Sequence, residues 1–512
     1  MKGSCVVVNL LIQLIIAVIA VECYSHDYWS KRAALIIEEE RISLGGDLSL
    51  DPKERLVNDL LLTFKRKEID DGFRGKAKFL PAKNFIEVRN DIKESKLFNI
   101  IKMMPKGAVL HAHDTAIVSE EWLYNNVTFR DNLYICDKAE NLQLRFFDSP
   151  TDDCDWQLLK ELRKNETFAA EINSRIRKEF SMMTDNPDRM YPDVNSAWKK
   201  FMSIFILITP MLTYRPVYED HFYQGLKELY KDNVLYLELR STLPPLYELN
   251  GTQYSPIDRV LLLVLKFTYV FRNLIFHCFR FIKDHPDFIG VKIIFAPLRI
   301  MSTSQLDEYI DTTLEIKRKF PDFFAGFDLV GQEDTGNSLE LYAEKLQRMT
   351  NEVGFFFHAG ETNWYGSKTD RNLLDAVLLN TTRIGHGYAI VKHPEVLKIV
   401  KERKIAIEIC PISNQVLGLV KDLRNHPANI LFAGGFPVVV SNDDPGLWGS
   451  KALSYDFYEA FVGMMSRDAD IRALKQLAIN SIIYSSMSDN EKQNAYDVWT
   501  RKWYQFLSKI NY

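Results

Sequence analysis

From residue 107 onwards the sequence repeats one pattern eight times: a short apolar run that ends in small or polar residues. The runs are Ala108–His113, Val234–Arg240, Val291–Arg299, Gly326–Gly331, Gly354–Gly360, Arg383–Gly387, Ile405–Pro411 and Pro437–Pro445. Most segments between them carry apolar residues at helical spacing, as in Ser304–Phe320 and Leu339–Val353. Apolar strands that alternate with helices are typical of a parallel sheet. Eight repeats predict an α/β fold, a (β/α)8 TIM-type barrel whose functional groups lie at the C-terminal ends of the strands.

Two additions to this barrel are expected. The segment between the first and second runs is too long for one helix, so we predict an insertion after the first strand, at about residues 126–186. Upstream, Leu56, Leu60 and Phe64 recur at four-residue spacing, which indicates an amphipathic helix. We therefore predict a helical N-terminal module over residues 23–105 and the barrel over residues 106–512.

The first residues resemble a secretory signal peptide. Lys2 precedes an apolar stretch from Cys5 to Val21, and Val18-Ile19-Ala20 supplies small residues for cleavage. We predict a signal peptide at 1–22 and a secreted, extracellular protein. The alternative is a membrane anchor, for which the run is short against the ~20 residues of a membrane span. No later run is long enough to cross a bilayer, so no stable membrane insertion is expected.

Cysteines and glycosylation sequons fit export. The chain has 6 Cys, far too few for a disulfide scaffold. Cys136 and Cys154 lie in a polar, loop-like region, and we predict that they pair in an oxidising compartment. Cys278 and Cys410 have apolar neighbours and are predicted to be buried thiols. Candidate glycosylation sites are Asn126, Asn165, Asn250 and Asn380.

Charge and motif content exclude several functions. Lys+Arg number 64 and Asp+Glu 68, and this near-neutral balance argues against a nucleic-acid binder. The sequence has no G-x-S-x-G elbow, no phosphate-binding G-x-x-x-x-G-K-[ST] loop, no H-E-x-x-H helix and no G-x-G-x-x-G turn. It also has no P-C-x-x-C, which excludes the cytidine-type zinc deaminase site.

Histidines and acidic residues end runs one, five, six and eight. They are His111, His113, His358, Glu361, His386, Asp443 and Asp444. Each has an ordinary alternative when taken alone: a chance His pair, a helix-capping Glu, a turn His on the surface, or a D-D-P turn. Together they converge where a barrel places its active site.

These residue types indicate metal-assisted hydrolysis. Alternation along a strand puts His111 and His113 on one face. Three imidazoles and a carboxylate favour Zn over Ca or Mg, which prefer oxygen ligands. Zinc lowers the pKa of bound water toward ~7. A nearby His and Asp can orient that water or take its proton, and a carboxylic acid can protonate the electrophile or leaving group.

The ordered motifs resemble those of the adenosine deaminases. They read MPKGAVLHAHDTA, GFDLVGQEDTG, FFFHAGET, RIGHGYAI, EICPISN and VVVSNDDPG. The signal peptide, helical N-terminal segment and cysteine-containing insertion resemble the secreted branch, the adenosine deaminase-related growth factors, within the metal-dependent hydrolase superfamily. The resemblance extends from about residue 28 to about residue 505.

The resemblance implies roles for individual residues. One zinc ion per subunit is implied, with the ligands His111, His113, His358 and Asp443. Glu361 corresponds to the acid that protonates purine N1 as hydroxide attacks C6, His386 to the catalytic His beside the water, and Asp444 to the carboxylate that engages the water and purine N7. Gly331 corresponds to the backbone donor to N3. Asp114, Glu333 and Trp198 are expected at the sugar end; the alternatives are a core position for Trp198 and a loop charge for Glu333.

The resemblance also implies a function. A secreted zinc-dependent adenosine deaminase would convert adenosine and 2′-deoxyadenosine into inosine and 2′-deoxyinosine with release of ammonia. A homodimer formed through the N-terminal helices and growth-factor activity are further expectations. The alternatives are a deaminase of another aminopurine or an adenine nucleotide, and a signalling ligand that binds a cell-surface receptor or glycosaminoglycan.

Overall fold

The computed structural model describes residues 27–138, 141–264 and 277–510. The predicted signal peptide at 1–22 lies outside them. Residues 27–42 are helical, and the N-terminal segment then forms the helices Pro52–Phe73, Leu80–Ala82, Phe85–Lys93 and Lys96–Met103. The Pro52–Phe73 helix begins where Asp51 accepts from the Glu54 amide and Glu54 bonds back to the Asp51 amide.

The N-terminal helices pack on the barrel rather than standing apart. Val57, Leu61 and Phe85 are buried in the common core. The Lys65 ammonium is also buried and donates to the carbonyls of Ser466 and Ala469 at 2.7 and 2.8 Å. These contacts satisfy a charge that would otherwise be costly to bury.

The first barrel strand, β1 (Gly107–His113), is followed by a long insertion. Its sheet consists of β2 (Leu133–Lys138), β3 (Asn141–Phe146) and β4 (Gln157–Leu158), antiparallel in the order β3-β2-β4. Helices and helical turns make up much of the rest: Glu120–Trp122, Leu123–Val127, Leu159–Leu162, Glu166–Glu179, Pro187–Met190, Val194–Leu212 and Arg215–Lys231. A disulfide joins Cys136 and Cys154, with Cα atoms 6.3 Å apart.

The remaining strands complete the barrel. A hairpin of β6 (Leu246–Tyr247) and β7 (Gln253–Tyr254) follows β5 (Val234–Ser241). The next barrel strands are β8 (Gly290–Phe295), β9 (Phe324–Phe327), β10 (Gly354–Phe355), β11 (His358–Ala359), β12 (Arg383–His386), β13 (Ala406–Ile409) and β14 (Val438–Val440). Each barrel strand pairs in parallel with its neighbours, in the orders β1-β5-β8-β9-β10 and β11-β12-β13-β14. Two hydrogen bonds between Asp443 and the residues His111 and His113 close the ring.

All eight predicted runs therefore contain barrel strands, and the predicted (β/α)8 barrel is confirmed. The fifth run differs in detail because it divides into two short strands, β10 and β11. Phe356 and Phe357 lie between them and still bond to the neighbouring strands through Phe327 and Gly385. The wall of the barrel is therefore continuous at this point.

The barrel helices and the C-terminal helices complete the fold. Helices and helical turns after β7 are Pro256–Val264, His277–Asp284, Thr303–Lys319, Leu339–Leu346, Gln347–Met349, Asn372–Leu378, Ile390–Lys392, Pro394–Arg403, Pro411–Val416, Leu423–Asn425, Ala428–Ala433, Pro445–Trp448, Ser454–Glu459, Ala460–Met464, Ile471–Ile483 and Asp489–Lys509. The Thr303–Lys319 helix shows the expected pattern, since it buries Leu306, Ile310 and Ile316. Within the described residues, no helix combines the length and apolar character needed to cross a membrane.

Candidate active site

Three histidines and one aspartate converge at the C-terminal ends of the barrel strands. His111 and His113 end β1, His358 begins β11, and Asp443 follows β14. One ligand atom from each residue lies within 4.8 Å of the others. Asp443 Oδ1 is 3.2 Å from His111 Nε2 and 3.0 Å from His113 Nε2. The structure thus brings together all four residues that the sequence offered as zinc ligands.

Two buried carboxylates orient the histidine rings. His111 Nδ1 donates to Glu408 Oε2 and His358 Nδ1 donates to Asp328 Oδ2, each at 2.7 Å. The Nε2 atoms of both rings are therefore left for a metal. His111 Nε2 and Asp443 Oδ1 are buried and have no hydrogen-bond partner. A nitrogen-rich set of four converging atoms fits zinc.

Two buried arginines hold these carboxylates in place. Arg240 donates to Asp328 at 2.7 Å and to Glu408 at 2.8 Å, and Arg383 donates to Glu408 at 2.6 Å. Burial alone would raise the pKa of Glu408, but the two guanidinium groups hold it well below its usual value. The sequence patterns did not predict this network. Its signal was the presence of charged residues inside apolar runs, where a lone charge would be costly.

Glu361 lies on the loop after β11 with its side chain buried. Burial, followed by the negative charges of Asp443 and Glu333, raises the pKa of Glu361 well above its usual value. This shift favours the protonated form of the group, which is the form that a general acid needs. Its Oε1 atom is 3.7 Å from His386 Nε2.

Glu333, which was expected at the sugar end, contacts the loop that carries Glu361. Its two oxygens accept from the amides of Gly360 and Glu361 at 2.9 and 2.6 Å, and from Asn372 Nδ2 at 2.7 Å. These bonds fix the backbone that positions Glu361. Contact with a ribose stays a prediction for Glu333.

His386 and Asp443 both adopt left-handed backbone conformations, with φ of 57°. Such conformations are uncommon for residues other than glycine and concentrate at functional sites. His386 Nε2 lies 3.9 Å from Asp443 Oδ2. Asp444 is buried beside them, and burial together with the charge of Asp443 raises its pKa well above the usual value.

The other residues predicted at the substrate have different surroundings. Asp114 follows β1 and accepts from Ser241 at 2.6 Å and from Arg259 at 2.7 Å. Gly331 has φ of 101°, a conformation that favours glycine. Trp198 is largely buried and packs edge-on against Phe201 with 5.1 Å between ring centroids. The sugar contacts of Asp114 and Trp198 and the base contact of Gly331 stay predictions.

The sequon asparagines and the cysteines predicted to be buried thiols were also assigned an environment from the sequence. All four sequon asparagines are exposed: Asn126, Asn165, Asn250 and Asn380. Cys410 is a buried free thiol. The side chain of Cys278 lies outside the described part of the chain.

The chain matches known proteins over most of its length. The family model described as adenosine deaminase matches residues 177–500, and that described as adenosine/AMP deaminase N-terminal matches residues 10–101. An adenosine deaminase of Lutzomyia longipalpis is 45% identical over 490 residues, covering 94% of each chain. Adenosine deaminase 2 of Homo sapiens is 42% identical over 487 residues, covering 94% of this chain and 93% of that protein.

Solved structures show the same fold at lower identity. An N6-mAMP deaminase from Arabidopsis aligns with a TM-score of 0.55 at 18% identity, covering 78% of this chain and 99% of that one. An amidohydrolase from Burkhoderia ambifaria with bound Zn also aligns with a TM-score of 0.55 at 18% identity, covering 81% of this chain and 95% of that one. The two family models and the relatives that are 42–45% identical decide the assignment. This chain belongs to the adenosine deaminase family, and its relatives include adenosine deaminase 2 of Homo sapiens.

Proposed function

We propose that the chain is a secreted, zinc-dependent enzyme that hydrolyses adenosine and 2′-deoxyadenosine to the inosines and ammonia. The observation that carries this proposal is the convergence of four metal-ligand atoms within 4.8 Å, beside the buried acid Glu361. Three imidazoles and a carboxylate would hold one zinc ion per subunit. When bound, zinc lowers the pKa of a water molecule toward ~7.

Residues of the chain itself would deliver the proton and orient the water. Glu361 can deliver a proton to purine N1, because its raised pKa favours the protonated form. His386 and Asp444 lie beside Asp443 and can orient the attacking water. Water adds its oxygen at C6, and the 6-amino group leaves as ammonia.

The surroundings of Asp114 favour a nucleoside over a nucleotide. Arg259 is fully buried, and its guanidinium is paired with the Asp114 carboxylate at 2.7 Å. Its charge is therefore already offset and is poorly placed to attract a phosphate. If Asp114 lies at the sugar end as expected, it would repel a phosphate and accept a hydrogen bond from a hydroxyl.

A substrate comparison tests this choice. Purified protein should turn over adenosine and 2′-deoxyadenosine, and AMP and adenine should react far more slowly. Glu361→Gln keeps the shape of the side chain but removes its proton, so it should abolish turnover while leaving the metal content unchanged. Faster reaction with AMP than with adenosine would refute the nucleoside assignment.

Secretion is supported by the disulfide in the insertion and by the exposed sequons. N-terminal sequencing and intact-mass measurement of protein from the culture medium test it, because cleavage should remove residues 1–22. A mature chain that retains these residues would contradict the proposal.

A homodimer is proposed because the helical residues 27–42 lie exposed on the described chain. Several of them are large and apolar, including Trp29, Leu35 and Ile37, which are 58%, 67% and 65% exposed. A second copy could cover this face. Sedimentation of the mature protein should give twice the mass of one chain, and removal of residues 27–42 should give a monomer.

Growth-factor activity is a separate proposal from catalysis. The insertion supplies a surface for a cell-surface receptor or glycosaminoglycan. If signalling depends on binding alone, Glu361→Gln should retain any mitogenic activity. Loss of that activity together with catalysis would assign the signal to adenosine removal.

A further inference from the structure

A chain of buried hydrogen bonds extends from His386 away from the metal ligands. Asn414 Nδ2 lies 3.1 Å from His386 Nδ1, and Asn414 Oδ1 lies 3.0 Å from His426 Nε2. The chain ends at the backbone amide of Ala428, which donates to His426 Nδ1 at 3.1 Å. All three side chains are buried.

The Ala428 amide determines which atoms donate and which accept in this series of hydrogen bonds. A backbone N–H can only donate, so His426 Nδ1 is an acceptor and carries no proton. Burial lowers the pKa of His426 to about 3, so the ring is neutral and its one proton resides on Nε2. That proton requires Asn414 to present its oxygen to His426. The amide nitrogen of Asn414 is then the atom that faces His386, and it donates to Nδ1.

The hydrogen bond from Asn414 also determines which ring nitrogen of His386 carries the proton. Its Nδ1 accepts a hydrogen bond, so the single proton of the neutral ring must lie on Nε2. This nitrogen faces the site, 3.7 Å from Glu361 Oε1 and 3.9 Å from Asp443 Oδ2. A second proton on Nδ1 would oppose the N–H of Asn414 and break the bond.

We infer that Asn414 and His426 are positioning residues that hold His386 as the tautomer with its proton on Nε2. In the resting enzyme His386 is then a hydrogen-bond donor toward the attacking oxygen, not an acceptor of its proton. The inference rests on the proposed function for its catalytic consequence, whereas the tautomer itself is a property of the fold. Neither Asn414 nor His426 was offered as a site residue by the sequence.

Ring-15N histidine labelling tests the tautomer directly. The metal-loaded wild-type protein should show His386 and His426 as neutral rings that each carry the proton on Nε2. Signals are assigned by loss in His386→Gln and His426→Gln. A proton on Nδ1 of His386 in the wild type would overturn the inference.

Variants test the role of each member of the chain. In Asn414→Asp the new carboxylate can only accept, so the His386 proton should move to Nδ1. His426→Leu removes the donor to Asn414, whereas His426→Gln retains an N–H that can restore it. For Asn414→Asp we expect kcat to fall between about 10²- and 10⁴-fold, the range reported for active-site groups held in the wrong tautomer, with little change in KM.

Tyr388→Phe is the matched control. The Tyr388 ring packs edge-on against His426 with 5.1 Å between centroids, and its hydroxyl bonds to the Leu419 carbonyl instead of to the chain. It should leave both the tautomer and kcat unchanged. An equal loss in His426→Gln and His426→Leu, with the wild-type tautomer retained in both, would assign His426 a packing role and overturn the inference.

The two proposals can fail separately. A wild-type protein that does not deaminate adenosine but carries the Nε2 proton on His386 would refute the proposed function and leave the positioning role standing. An active protein whose His386 carries its proton on Nδ1 would sink the positioning role alone. If Asn414→Asp does not fold, the wild-type spectrum and the pair of His426 variants still decide the question.

Discussion

Replacing Glu408 with glutamine should damage both the fold and the metal site. The Glu408 carboxylate accepts from His111 Nδ1, Arg240 and Arg383 at 2.6–2.8 Å, and all four side chains are fully buried. A glutamine amide has one oxygen, so its NH2 group must face at least one of these donors. Two buried guanidinium groups also lose part of their counter-charge.

The expected losses of stability and of metal affinity in Glu408→Gln follow from these contacts. Removing one partner from a buried ion pair costs about 3–5 kcal/mol, so we expect Glu408→Gln to lower the free energy of unfolding by about that amount. Loss of a carboxylate that orients a ligating histidine weakens metal binding by about 10- to 100-fold. Denaturant unfolding measures the first effect, and zinc retention against a graded chelator measures the second.

A surface substitution controls for the change of charge. Glu395 is exposed on the Pro394–Arg403 helix, and Glu395→Gln should leave both quantities unchanged. If Glu408→Gln matched the wild type in stability and zinc retention, the carboxylate–arginine network would not support the site, and the reasoning would be wrong.

Three further predictions concern the insertion and the buried acids. Replacing Cys136 and Cys154 with alanine should cost about 3 kcal/mol for a separation of 18 residues, measured by denaturant unfolding; an unchanged midpoint would contradict the entropic argument. Burial raises the pKa of Glu459 from 4.5 to about 8, so wild-type stability should fall as pH rises through this window, by on the order of 5 kcal/mol relative to Glu459→Gln. A constant difference between the two proteins from pH 4 to pH 9 would refute this assignment. Under the proposed function Glu361 acts in its protonated form, so kcat/KM should fall as pH rises through its raised pKa, and a rate that kept increasing would exclude it as the acid.

The positions of the candidate metal ligands were predictable because strand periodicity and strand ends are local properties. The alternation of β1 placed His111 and His113 on one face, and the barrel topology brought His358 and Asp443 to the same edge. None of this required knowledge of the side-chain packing.

The support of the site depended on contacts between distant strands. Asp328 follows β9, Arg240 lies on β5 and Glu408 lies on β13, and no local pattern pairs them. Each was visible only as a charge within an apolar run. Their pairing depends on the register of the closed barrel, which sequence periodicity does not determine.

The same limit applies to Glu333 and to the fifth strand. Glu333 was expected at the sugar end from the family resemblance, whereas its bonds to Gly360 and Glu361 depend on how two loops meet. The division between β10 and β11 likewise depends on backbone pairing across three strands, because the residues at the break, Phe356 and Phe357, continue the apolar run without a turn signal.

The most direct test of the account is ammonia release from adenosine by the purified chain, before and after zinc removal. We expect stoichiometric inosine and ammonia from the zinc-loaded protein, loss of turnover with a chelator, and recovery when zinc is returned. A folded, fully zinc-loaded protein that releases no ammonia from adenosine would contradict it.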